Sequence, residues 1–185
     1  MRRVIAVALF AAIAITMAVA LPRDASAVYN SLVDENRMWV GAGITQGLRD
    51  RAKLGGQFGF GLTHYYTDRW GVGLELDYSS ANSPRDDITG VLRVHQSVEC
   101  VFRRFADHRP FLIASHGFNH WLESKPAFLF PTIEEAGLGY GVSVGIGTHL
   151  IPASDAYATL LAQYHHTFGV DASRPIVSVT LAIGW

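Results

Sequence analysis

Apolar and polar positions alternate with a period of two along most of this chain, and the pattern is clearest at its end. Val177, Val179, Leu181, Ile183 and Trp185 fall on one face of the last ten residues, and Ser178, Thr180, Ala182 and Gly184 fall on the other. Side chains alternate across a strand, so the segment is a strand with one apolar face and one face of small, uncharged residues. Similar alternation or strong strand composition marks eight stretches: Arg37–Leu48, Leu54–Tyr66, Trp70–Ser79, Thr89–Phe102, Pro110–Trp121, Ala136–His149, Ala156–Phe168 and Ile176–Trp185. Each is near or above the roughly 9–11 residues that a tilted strand needs to cross a bilayer. No amphipathic helical stretch of comparable length interrupts them. The pattern predicts an all-β fold, an eight-stranded antiparallel up-and-down transmembrane barrel whose even strand count returns both termini to one side.

Alternation alone does not say which face is inside; the composition of the second face does. In Leu138–Gly147 the apolar set is Leu138, Tyr140, Val142, Val144 and Ile146, and its opposite is Gly139, Gly141, Ser143, Gly145 and Gly147. A water-facing exterior carries Lys, Glu and Arg, whereas a row of Gly and Ser suits the crowded interior of a narrow barrel. A soluble, lipocalin-like barrel is therefore disfavoured. In the third and fourth strands the second face carries Glu75 and Asp77, then Arg93, His95 and Glu99. These five are the expected lumenal polar network, because charges withdrawn from water require partners. A hairpin centred near Pro84 would set Glu75 opposite Arg93. No nucleophile accompanies the carboxylates, so they read as structural pairs rather than catalytic ones. By phase, Trp39 and Tyr65 should also fill the lumen. Trp70, Phe102, Trp121 and Trp185 lie at predicted strand ends, as the aromatic girdles at membrane interfaces do.

Connections are short at Thr67–Arg69, Ala106–Arg109 and Ile151–Asp155, and longer at Ser80–Ile88 and Leu122–Glu135. Such alternation matches periplasmic turns on one side and extracellular loops on the other. Loop charge is mixed, with Arg49, Arg51 and Lys53 in the first, Arg85 beside Asp86 and Asp87 in the second, and Glu134 and Glu135 in the third. Pro126–Pro131 (P-A-F-L-F-P) is apolar for a loop.

The start of the chain carries Arg2 and Arg3, an apolar run from Val4 to Leu21 and an Ala25-Ser26-Ala27 cleavage motif. This is the layout of a secretory signal peptide, predicting a signal over residues 1–27 and a barrel over 28–185. Nearly half of the residues (49 %) are hydrophobic, yet no later run is continuously apolar for a membrane helix. Net charge is −1, which argues against a nucleic-acid partner. Cys100 is the only cysteine and reads as a small apolar filler. It excludes an intrachain disulfide and a cysteine-based zinc cluster. His116 and His120 share a face but stand about 13 Å apart on a strand, too far for one ion. No metal and no cofactor are expected.

With Met38–Gly43 (M-W-V-G-A-G), Leu62–Leu76 (L-T-H-Y-Y-T-D-R-W-G-V-G-L-E-L) and Ile176–Trp185, the chain resembles the small eight-stranded outer-membrane barrel proteins of the OmpA/OmpX type. The likeness is one of pattern and spans the mature chain. It implies export to the outer membrane, surroundings of outer-membrane lipid and lipopolysaccharide, and assembly by the barrel-assembly machinery, which reads a terminal aromatic, here Trp185. No counterpart of OmpA's peptidoglycan-binding domain lies in this sequence. The implied role is structural or surface-interacting, without enzymatic activity.

Two alternatives stand beside it. Gln163–Phe168 (Q-Y-H-H-T-F) resembles the late His-x-Ser motif of the outer-membrane lipid A deacylases, which implies His165 as base and Thr167 as nucleophile; Asp171 matches no motif and is an orienting acid by proximity alone. Thr in place of Ser, and a phase that turns both residues toward the lumen, weigh against that reading. The other alternative is a narrow channel, if the glycine-rich strands leave a gap.

Overall fold

The computed structural model describes residues 35–48, 54–82, 88–102, 108–125, 132–150, 157–168 and 175–185. The expected signal segment, Asp171 and the Pro126–Pro131 stretch lie outside these. Eight strands follow one another: β1 (Glu35–Gly47), β2 (Leu54–Tyr65), β3 (Trp70–Asn82), β4 (Ile88–Val101), β5 (His108–Lys125), β6 (Thr132–Leu150), β7 (Tyr157–Phe168) and β8 (Ile176–Gly184). Each pairs antiparallel with the next, and β8 returns to β1, so the sheet closes into an up-and-down barrel with no free edge. Following the pairing once around the wall leads from Val91 to Val101 of β4, a stagger of ten residues. Eight strands with that stagger tilt by about 40° from the barrel axis.

The wall is inside out relative to a soluble protein. Phe118 and Leu181 are 60 % and 59 % exposed, whereas Arg93 and Asn119 are each 1 % exposed. Large apolar residues, among them Phe58, Phe60, Leu62, Leu74, Val144 and Ile183, cover the exterior. That surface is stable only against hydrocarbon. Lumen-facing residues carry odd numbers in β1 to β7 and even numbers in β8, so one phase persists through seven strands. The glycines of the inner face admit bulk from the neighbouring strand. A Cβ on Gly141 would stand 2.3 Å from the Asn119 amide, one on Gly147 2.5 Å from the Phe111 ring, and one on Gly61 2.5 Å from the Trp39 indole. Small residues in the lumen are thus the sockets of large ones.

Two expectations need correction. Asp77, not Glu75, pairs with Arg93 across β3 and β4, while Glu75 faces His95. The hairpin centre lies one residue later than Pro84, which moves the partner by two positions and leaves every side chain on its expected face. The contrast in loop length also shrinks. β3 runs to Asn82 and β4 starts at Ile88, and β5 and β6 extend to Lys125 and from Thr132. About half of the residues of these two connections, Ser80–Asn82 and Ile88 in one, Leu122–Lys125 and Thr132–Glu135 in the other, belong to strands. β5 stays paired with β4 as far as Ser124 and with β6 as far as Lys125, across a register shift at Trp121/Leu122, whereas pairing of β6 with β7 begins only at Tyr140.

Candidate functional site

The concentration of polar chemistry is the lumen, and it divides into two halves. Toward the loop end, the Arg93 guanidinium donates from Nε to Asp77 Oδ1 at 2.8 Å. Beside it runs a directional chain. Asn119 donates its Nδ2 to Thr167 Oγ1 at 2.6 Å, so its carbonyl faces His95 Nε2 at 2.7 Å and accepts that N–H. His95 Nδ1 then accepts from the Ser115 hydroxyl at 3.2 Å, and Ser143 adjoins Ser115. One tautomer of His95 satisfies every contact. Val91, Trp121 and Ile176 pack together above this layer, toward that end of the lumen.

Toward the termini the same scaffold is built differently. Glu99 Oε1 accepts from the Tyr65 hydroxyl and from His149 Nε2, the latter at 2.9 Å, while His149 Nδ1 accepts from Thr159 Oγ1 at 2.8 Å. Phe111 stacks on the His149 imidazole at 4.3 Å and Tyr157 meets it edge-on at 5.3 Å. Tyr65, Val101, Phe111, Ile113 and Leu161 form the apolar packing around this group. Arg37 lies over the rings of Tyr157 and Tyr65, at 4.7 and 5.5 Å, and bonds Glu35 at 3.1 Å. Its cation and the two rings stopper the periplasmic mouth.

A cavity of about 30 Å³ runs from the terminal cluster toward the middle of the lumen, lined by Tyr65, Glu99, Phe111, His149, Glu75 and Asp77 among others. Such a volume suits one or two waters.

All five residues expected in the lumen are buried there, but they do not form one ion-pair network. Asp77 and Arg93 are the acid–guanidinium pair among them. His95 belongs to the amide–hydroxyl chain, Glu99 to the Tyr65–His149 cluster, and Glu75 is bonded by Ser97. Tyr65, expected in the lumen by phase, is the partner of Glu99, and the partners that the pattern did not single out are Arg37, Asn119 and His149. Their odd numbering places each of them inside, which is the signal that was there to find. His165 and Thr167 are both buried in the lumen. His165 Nε2 bonds Ser178 Oγ at 2.9 Å, and Thr167 accepts from Asn119, so each is engaged with a different neighbour. Trp185 closes the ladder by exchanging backbone hydrogen bonds with Met38, each 3.0 Å long. Among the described residues no group of three or more His, Cys, Asp or Glu is placed to hold a metal.

No family model matches the sequence, and no curated relative does. Solved structures do match in fold. Neisserial surface protein A superposes with a TM-score of 0.66 at 10 % identity, over 80 % of this chain and 95 % of that one. The chain has the fold of the small bacterial outer-membrane barrels. The attachment invasion locus protein Ail of Yersinia pestis matches with a TM-score of 0.56 at 15 % identity, over 82 % and 97 % of the two chains. Outer membrane protein OprG of Pseudomonas aeruginosa matches at 0.51 and 11 % identity, over 84 % and 99 %. The OmpA/OmpX-type architecture, the transmembrane strands and an outer-membrane location agree with these matches and with the apolar exterior. At such low identity the likeness concerns the fold, and the role must be argued from this chain.

Proposed function

We propose that this protein is a sealed, non-enzymatic barrel of the outer membrane that acts through its outer end, as an envelope component or surface-interacting protein. The observation that carries this reading is the filled lumen. Apolar packing of Val91, Trp121 and Ile176 fills the lumen toward one end, and Arg37 between Tyr65 and Tyr157 blocks the other. Solute passage would require breaking buried hydrogen bonds in both halves. The hydrolase alternative lacks support in the geometry, because His165 and Thr167 engage separate partners inside the wall, away from the outer leaflet. What remains available for interaction is the loop end, above all the β5–β6 hairpin. The partners in this reading are outer-membrane lipid and lipopolysaccharide around the wall, and the barrel-assembly machinery, with Trp185 as the assembly signal.

The test combines three measurements on the full-length protein. Planar bilayers containing the folded barrel should show no discrete conductance steps. Lipopolysaccharide from cells expressing the wild type and His165→Ala should have identical acyl-chain masses. An epitope inserted between Pro126 and Pro131 should be accessible on intact cells. Stepwise conductance or loss of an acyl chain with the wild type alone would replace this reading by the channel or the hydrolase, and an inaccessible epitope would remove the surface role.

A further inference from the structure

Among the described residues of the lipid-facing wall, Gln96 and His116 form a polar patch at a depth where lipid offers it no partner. Gln96 of β4 and His116 of β5 are direct register partners, and both point outward. Gln96 stands six residues from the exposed aromatic ring of Phe102 at the periplasmic rim. On a strand tilted by about 40° that is a rise of about 15 Å, near the middle of an apolar band roughly 25 Å tall. Their flanking outward neighbours confirm the depth: Val94 and Val98 enclose Gln96, and Ala114 and Phe118 enclose His116. The outward positions at this level on the other side of the wall, from Val40 and Phe60 to Leu74 and Leu181, are apolar.

Hydrogen-bond accounting fixes what the patch offers. The Tyr140 hydroxyl on β6 bonds His116 Nδ1 at 2.8 Å. With Tyr140 as donor, the His116 Nε2–H is left as an outward donor. The Gln96 amide adds a carbonyl acceptor and two N–H donors, and among the described residues no side chain bonds it. An amide in hydrocarbon without a partner is costly, and the hydrocarbon interior supplies neither donor nor acceptor.

We infer that this patch, centred on Gln96 and His116, is a self-association surface on which a second copy of the chain docks by twofold symmetry. Only a group embedded in the membrane reaches this depth. A second copy with the same topology presents the same groups at the same height and in the same orientation. The patch is self-complementary: the Gln96 carbonyl of one copy accepts the His116 Nε2–H of the other, and the twofold axis repeats the bond in reverse. Ala114, exposed beside His116, keeps the centre of the patch low, as small residues do where membrane-embedded elements approach closely.

The experiment uses the full-length protein expressed in its membrane, with Cys100→Ser as background. Ala114→Cys on the β5 face should cross-link to a dimer under mild oxidation, whereas Ala42→Cys on the outer face of β1 should remain monomeric. Sedimentation of the purified barrel in detergent should give a dimer, and Gln96→Leu with His116→Leu should weaken it roughly tenfold, two reciprocal polar contacts being lost. Leucine suits a lipid-facing site, and heat-modifiable gel migration will show that the double variant is folded. A monomeric wild type, equal cross-linking from Ala42→Cys, a folded double variant that dimerises as well as wild type, or cross-linking of Ala114→Cys only to a different protein would each overturn the inference.

Discussion

The two halves of the lumen solve one problem by different chemistry. Both must neutralise buried charge inside a closed sheet that cannot expand. The loop-end half does so with an acid–guanidinium pair and a chain of amide, imidazole and hydroxyl groups, in which most donors have one designated acceptor. The terminal half surrounds its buried carboxylate, Glu99, with rings: Tyr65, Phe111, His149 and Tyr157. One half is held mainly by complementarity of charge and hydrogen bonds, the other mainly by packing around a buried acid. The difference teaches where each half is fragile. Polar substitutions should be most damaging toward the loops, and volume changes most damaging toward the termini.

The largest effect is expected from Arg93→Met. It keeps much of the side-chain volume but strands the Asp77 carboxylate in the lumen. Removing one partner of a buried ion pair costs about 3–5 kcal/mol. Urea unfolding of the barrel folded into lipid vesicles should register that loss, and adding Asp77→Leu should recover most of it. If the double variant is no more stable than Arg93→Met, the loop-end half is not organised around this pair. Phe111→Ala comes next, in the half that rests on packing. It removes the ring stacked on His149 and leaves a cavity facing Gly147, which has no Cβ to fill it. A Phe→Ala truncation costs about 3 kcal/mol where the surroundings cannot collapse, and a closed sheet collapses poorly. A loss below about 1 kcal/mol in the same unfolding assay would erase the contrast between the halves.

Much of this arrangement was legible in the chain, and the limits have physical causes. The two-residue period assigned Gly139 to Gly147 and Glu75 to Glu99 to the inner face, because a one-residue slip would exchange lumen and lipid for a whole strand. A slip of two leaves polarity unchanged, so the pattern could not separate a Glu75–Arg93 pair from the Asp77–Arg93 pair that forms. Contacts across the bore were further out of reach. Tyr65, Glu99 and His149 come from β2, β4 and β6, and their common height depends on the stagger of the closed wall, which no single strand records. The loop ends of β5 and β6 were hidden for another reason. Beyond the bilayer neither face needs to be apolar, so the alternation that reveals a transmembrane strand stops before the strand does.

The smallest effect, and the sharpest test of the terminal half, is Glu99→Gln. His149 Nδ1 accepts from Thr159, so its Nε2 carries the hydrogen that Glu99 Oε1 accepts, and the Tyr65 hydroxyl donates to the same oxygen. A glutamine carbonyl in that place accepts both. Only the charge assistance is lost, since a bond to an ionised acceptor is about twice as strong as a neutral one, and the expected cost is about 1 kcal/mol. Glu99→Leu differs in kind: it orphans the Tyr65 hydroxyl and the His149 N–H together, which should cost about 2–3 kcal/mol in the same assay. The interval between these two variants measures how far the half depends on an acceptor rather than on an anion. Were glutamine as damaging as leucine, the anion itself would be essential, and the cluster would belong with the Asp77–Arg93 pair as a device of charge rather than of packing.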